Sequence, residues 1–156
     1  MKFKLFIFLF FITVELSAQE YTLKTVPKVK NDSEFIMQIK IKLYKLKNSN
    51  LGNATIRFSY NSHELYFPNL PDKGIDYNFM LNNSGQYSCS VSKPEKDEIS
   101  VNVYFKEGIP QAISNKYFEI VSINFRKKKE NVDSILKTCS AEIFSPQKSK
   151  PWELKD

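Results

Sequence analysis

Phe35-Ile36-Met37-Gln38-Ile39-Lys40-Ile41-Lys42-Leu43 decides the fold. Phe35, Met37, Ile39, Ile41 and Leu43 alternate with Gln38, Lys40 and Lys42. A period of two residues, rather than 3.6, places the apolar set on one face of a single long strand and the lysines on the other. The same pattern returns along the chain. Ala54, Ile56, Phe58 and Tyr60 alternate with Thr55, Arg57 and Ser59, and Tyr87, Cys89 and Val91 alternate with Ser88, Ser90 and Ser92. Ile99, Val101, Val103 and Phe105 form a fourth run, and Val121, Ile123 and Phe125 a fifth. Shorter runs at 21–26, 65–67, 77–81 and 141–144 bring the expected total to eight or nine strands.

Turn residues punctuate these runs at Asn48-Ser49-Asn50, at 68–74, at Asn82-Asn83-Ser84-Gly85 and at Lys93-Pro94-Glu95-Lys96-Asp97. No amphipathic helix separates them. Many short strands without intervening helices predict an all-β chain, an antiparallel sandwich whose two apolar faces share one core.

The 156 residues make room for one domain, and 23 Lys and Arg against 17 Asp and Glu give a net charge of +6. One His and two Cys cannot build a multi-histidine or four-thiolate metal site. His63-Glu64-Leu65-Tyr66-Phe67 opens like a zinc-protease helix, yet position 67 is Phe where the second ligand would stand. With four glycines the chain has neither a phosphate-binding loop nor a G-x-S-x-G elbow. These absences point away from an enzyme and from any required cofactor. Asp72, Asp76, Asp97 and Glu98 fall in predicted turns, where carboxylates cap backbone groups or, as the alternative, bind Ca²⁺. The basic run Arg126-Lys127-Lys128-Lys129 reads as a solvated loop rather than a nucleic-acid patch, because arginine occurs only at Arg57 and Arg126.

Met1 to Ala18 carries Lys2 and Lys4, then Leu5, Ile7, Leu9, Phe10, Phe11 and Ile12, and ends in Leu16-Ser17-Ala18. That is a secretory signal peptide: its apolar run of about ten residues is too short to span a bilayer. The chain therefore divides into a signal peptide at 1–18, a sandwich at 19–148 and a C-terminal tail at 149–156, with a product that is secreted or held at the cell surface. Export makes a bridge between Cys89 and Cys139 one of two readings, worth roughly 4 kcal/mol for a loop of about fifty residues. The other reading is two free thiols, buried as small apolar residues.

The stretch from Leu51-Gly52-Asn53-Ala54-Thr55-Ile56-Arg57-Phe58-Ser59-Tyr60-Asn61 to Leu65-Tyr66-Phe67-Pro68 is similar to the early hairpin of cohesin-like modules in the carbohydrate-binding-domain superfamily. Such modules occur at the N-termini of bacterial proteins exported by type IX secretion. Asp76-Tyr77, Gly85-Gln86-Tyr87-Ser88, Ile120-Val121-Ser122-Ile123-Asn124-Phe125, Ala141-Glu142-Ile143-Phe144 and Pro151-Trp152 extend the resemblance over nearly the whole mature chain. It implies a nine-stranded jelly-roll sandwich, extracellular and non-catalytic, that contacts protein partners in adhesion or assembly. The alternative it leaves is polysaccharide binding, for which Tyr66, Tyr77 and Trp152 are the candidate stacking rings. Mass spectrometry of the exported product is expected to find Gln19 at its N-terminus. A product retaining Met1 would identify an uncleaved anchor instead.

Overall fold

The computed structural model describes residues 19–29, 31–44, 48–67, 76–81, 85–130, 136–146, 148 and 150–155. The expected signal peptide, the turn at 68–74 and residues 82–84 lie outside the described residues. Twelve strands follow one another: β1 (Glu20–Val29), β2 (Glu34–Leu43), β3 (Ser49–Asn50), β4 (Ala54–Ser59), β5 (Leu65–Tyr66), β6 (Tyr77–Phe79), β7 (Tyr87–Glu95), β8 (Glu98–Phe105), β9 (Ala112–Ile113), β10 (Phe118–Lys127), β11 (Lys137–Ile143) and β12 (Glu153–Leu154). Nine of them are the runs anticipated from the alternation, and β3, β9 and β12 are additional two-residue pieces. No helix occurs among the described residues, so none there is long and apolar enough to cross a membrane.

One sheet has the order β12-β1-β2-β10-β5, with β6 also pairing β10, a second has the order β11-β4-β8-β7, and β3 with β9 forms a separate two-stranded sheet. Every pairing is antiparallel except β12 with β1. The two inner faces meet in one core. Met37, Ile39, Ile41, Val121, Ile123 and Phe125 from the first sheet are fully buried, as are Ile56, Phe58, Ile99, Val101 and Val103 from the second. Aromatic rings fill one end, where Phe125 lies between Tyr60 and Phe67 with ring centres 5.3 and 5.6 Å away. The all-β sandwich expected from period-two alternation is the fold observed.

Two corrections concern the chain ends of these elements. The segment expected to turn at 93–97 continues β7 through Pro94 to Glu95, with a bulge between Ser92 and Glu95. Pro94 stands on an edge strand, where its missing N–H removes no ladder hydrogen bond. More importantly, residues 152–155 of the segment expected as a tail belong to the sandwich. Trp152 is 5% exposed; its indole Nε1–H donates to Ser145 Oγ at 2.9 Å and its ring meets Tyr21 edge-on at 6.0 Å. Beyond it, β12 adds a parallel strand to the start of β1, with Lys155 N–H donating to the Tyr21 carbonyl at 2.7 Å.

The same corner requires Gly52. A Cβ there would lie 2.7 Å from both the Pro146 nitrogen and the Ser145 carbonyl carbon, because Gly52 N–H donates to Phe144 O at 2.7 Å and Phe144 N–H returns the bond to Asn53 O at 2.8 Å. Trp152→Ala is expected to cost about 3 kcal/mol of unfolding free energy, in the range for losing a buried large aromatic. Urea denaturation measures it, and a loss under about 1 kcal/mol would return this segment to a loose tail.

Candidate partner-binding face

The outward residues of the four-stranded sheet form a broad face of short polar side chains. Register places Glu142, Thr55, Asn102 and Ser90 in one row across β11, β4, β8 and β7, and Ser140, Arg57, Ser100 and Ser92 in the next. Ser88 and Tyr104 stand opposite each other at one end. Asn102 organises the middle: its Oδ1 accepts from Thr55 Oγ1 at 3.4 Å and from Ser100 Oγ at 3.3 Å. Arg57 leans to Glu98 at 3.5 Å, so the charges here largely cancel. Tyr104, 52% exposed, is the large ring presented beside the serines.

This chemistry suits contact with a protein. Serine, threonine and asparagine lose little rotamer freedom when covered, and an interface core is depleted of charge. Two open depressions of about 430 and 660 Å³ flank Phe105, Ser145 and Pro146 at the sheet's rim, and Lys106 and Lys148 are the charged residues lining them. Neither depression pairs an acid with a base. Among the described residues no three His, Cys, Asp or Glu side chains converge to hold a metal ion.

The aromatic trio expected to stack on sugar is not presented together. Tyr66 is 44% exposed, but Tyr77 is 7% exposed with its ring against Phe79 at 5.6 Å, and Trp152 is buried as described. Buried rings offer no face to a pyranose. Among the turn carboxylates, Asp72 lies outside the described residues, Asp76 is buried, and Glu98 pairs with Arg57. The backbone carbonyl of Asp97, not its carboxylate, accepts from Tyr60 N–H at 2.9 Å across the β4–β8 pair. His63 is exposed in the turn before β5, with its N–H bonded to Asn61 Oδ1 at 3.0 Å.

The bridge between Cys89 and Cys139 is overturned: both thiols are free. Cys89 is on β7 and Cys139 on β11, the opposite edges of the sheet, three strand spacings or roughly 14 Å apart, whereas a disulfide needs Cα atoms within about 7 Å. Cys89 points into the core, and burial pushes its thiol up to about 11, partly offset by Lys106. It is therefore a poor nucleophile. The residues that sequence reading passed over are Asn102 and Tyr104. Both sit at outward positions of an alternating strand, but nothing in the pattern distinguishes a bare outer face from a covered one.

With this geometry in view, the fold is cohesin-like. A cohesin module from a family 33 glycoside hydrolase of Clostridium perfringens superposes with a TM-score of 0.62 at 14% identity, over 88% of this chain and 90% of that one. The sixth cohesin of scaffoldin B from Acetivibrio cellulolyticus, solved in complex with a Cel5 dockerin variant, gives 0.61 at 12% identity over 89% and 94%. The seventh ScaB type I cohesin from Pseudobacteroides cellulosolvens gives 0.55 at 11% identity over 88% and 84%. No protein-family model matches the sequence, and no curated protein matches it.

Thiol labelling at pH 8 is expected to modify Cys139 in the native protein and both cysteines only in denaturant; a denatured protein with no reactive thiol would restore the bridge. The raised Cys89 pKa also sets a pH dependence. Between its ordinary value of 9.0 and about 11 the native state holds the proton that the unfolded state has released, so this contribution is intact below pH 9 and is lost as pH rises through that window. Thermal midpoints measured from pH 8 to 11 should fall, and should fall less for Cys89→Ala.

Proposed function

We propose that this chain is a non-catalytic, exported module that captures a protein partner on the outer face of its four-stranded sheet, in extracellular assembly or adhesion. The observation that carries this reading is the nearly charge-balanced field of short side chains around Asn102, half-buried among its neighbours, in which Ser88, Ser90, Ser92 and Ser140 are exposed. A flat face of this kind gains from covering because little is desolvated at a penalty and few long side chains are immobilised. The likeness to cohesin modules, one of them solved with a dockerin bound, supports a protein as the occupant. The signal-peptide pattern read in the sequence at 1–18 supports an extracellular setting.

Sugar recognition by stacked aromatics is the weaker reading. It retains Tyr66 alone of its three rings, and a single tyrosine makes no platform.

The purified protein, immobilised and exposed to the extracellular fraction of the cells that make it, should retain a specific protein. Asn102→Arg and Ser90→Arg should each reduce that capture at least tenfold while leaving the thermal midpoint within about 3 °C, because both side chains stand on the outer face. Hydrogen exchange should show β4, β7 and β8 as the protected strands in the complex. Capture that survives both substitutions would move the partner to another surface, and failure to retain any protein would remove the binding-module reading.

A further inference from the structure

The first sheet leaves part of one margin open. β12 covers the start of β1, with Glu153 N–H donating to Gln19 O at 2.8 Å and Lys155 N–H to Tyr21 O at 2.7 Å, and its pairing stops at Tyr21. On the other side of β1, Tyr44 N–H donates to Glu20 O at 3.0 Å. Even-numbered residues of β1 therefore turn their backbone groups toward β2, and odd-numbered ones turn theirs to the edge. Past Tyr21 the edge groups belong to Leu23, Thr25 and Pro27. Among the described residues, none of these groups has a backbone partner. Pro27 lacks an N–H and limits the stretch, which offers the N–H and C=O of Leu23 and Thr25 and the carbonyl of Pro27.

The side chains along this edge differ between its two faces. On the outer face Lys24 and Lys28 are exposed. Four acids share that face, and each is held by another residue: Glu20 and Glu153 by Lys155 at 3.6 and 3.8 Å, Glu119 by Lys40 at 3.8 Å and Gln38 at 2.6 Å, and Glu34 by the Nδ2 groups of Asn31 and Asn124 at 2.9 and 3.2 Å. Among the described residues no carboxylate pairs with Lys28 or with Lys24, which leans to the Tyr117 ring, 5.7 Å from its centre. On the inner face the margin lies against β11. Tyr21 donates its hydroxyl to Ala141 O at 3.3 Å and Thr25 Oγ1 donates to Leu136 O at 3.4 Å. Leu23 and Ala141, on this seam, pack on the core but are only half-buried.

We propose that the open edge of β1 binds an extended segment of a partner protein in which acidic and apolar residues alternate, added as a strand beside Leu23, Thr25 and Pro27. The free backbone groups select an extended peptide, because a chain of amides supplies donors and acceptors at the spacing of a strand. Lys24 and Lys28 select carboxylates at alternate positions, since side chains on one face of adjacent strands stand about 5 Å apart. Half-buried Leu23 and Ala141 select apolar residues at the positions between. β12 already occupies the start of the same edge as an added strand. A second copy of β1 is disfavoured there, because it would bring its own Lys24 and Lys28 beside these. The site is separate from the outer face of the four-stranded sheet.

Fluorescence anisotropy with a labelled peptide of alternating glutamate and valine tests the proposal, together with amide-resolved hydrogen exchange. In the free protein the Leu23 and Thr25 amides should exchange fast, and saturating peptide should slow both at least tenfold. A peptide of the same composition with its glutamates and valines in separate blocks should bind at least tenfold more weakly. So should the alternating peptide N-methylated throughout, which keeps its charge but donates no hydrogen bond. Lys24→Glu with Lys28→Glu should lower affinity at least tenfold and transfer binding to an alternating lysine and valine peptide, with the thermal midpoint within about 3 °C. Lys93→Glu with Lys96→Glu makes the same charge change on the β7–β8 hairpin of the other sheet and should alter affinity less than twofold. The proposal is overturned by an alternating peptide that does not bind, by block or N-methylated peptides that bind as tightly, or by equal loss in both double variants. It is overturned equally if the Leu23 and Thr25 amides are protected without peptide, whether in a dimer by a second copy or in a monomer by this chain itself.

Discussion

The register of β2 between β1 and β10 is the constraint on which the rest of this structure depends. Its burial alternates without a break, with Phe35, Met37, Ile39, Ile41 and Leu43 inside and Ile36, Gln38, Lys40 and Lys42 outside. A slip by one residue would drive Lys40 and Lys42 into the core and expose five large apolar side chains. Burying those two ammonium groups without partners would exceed the whole net stability of a domain. Once β2 is set, Leu23 and Tyr21 on one side and Ile123 and Phe125 on the other have no choice of face, and the second sheet closes on the surface that results.

Closure of the sandwich depends on polar bonds at its rim rather than on more apolar area. Tyr87 donates its hydroxyl to Leu51 O at 2.7 Å and accepts from Gln111 N–H at 2.8 Å, tying the start of β7 to the segments that lead from β3 and into β9. Tyr21 reaches across to Ala141 O at 3.3 Å, linking β1 of one sheet to β11 of the other. Burial pushes the Tyr21 hydroxyl up to about 12, so it remains a donor throughout the physiological range. These bonds fix how the sheets sit, and with that they fix both outer faces as stable surfaces. A binding face on a strand scaffold is ordered before its partner arrives, which lowers the entropy lost on association.

What was legible in the sequence followed from burial with period two. The long strands β2, β4, β7, β8 and β10 each show four or more alternating positions, enough to outweigh local propensity. The pieces that escaped have no such signal: β3, β9 and β12 are two residues each and exist because tertiary contacts place their backbones side by side. Bulges were equally hidden. Counting by twos from Ile143 and Ala141 sends Cys139 into the core beside Cys89, but the register of β11 shifts between Thr138 and Ser140 and leaves Cys139 as the extra, exposed residue. Trp152 illustrates the remaining failure. Its neighbours Pro151 and Glu153 predict a solvated segment, and its burial follows from distant partners: the Ser145 hydroxyl, the Ile143 carbonyl that accepts from its N–H at 2.7 Å, and the Tyr21 ring.

The two outer faces share one cause and differ in content. Folding dictates that positions 22, 24, 40 and 42, like 55, 90, 100 and 102, point outward, and it asks of them only that they be compatible with a strand. Their identities are therefore where the sequence has freedom that the core lacks. On one sheet that freedom has been filled with serine, threonine and asparagine, poor strand formers in part, whose short reach keeps the surface flat. On the other it has been filled largely with lysines, Lys24 standing directly opposite Lys40 at a cost in repulsion. Neither choice improves the sandwich. A neutral threonine at position 24 would relieve the repulsion with Lys40 across β1 and β2, and a valine at position 90 or 92 would be a stronger strand former. The core positions answer to packing and the outer positions only to strand geometry and solvent, so the contrast between the two faces is written in residues that the fold itself leaves open.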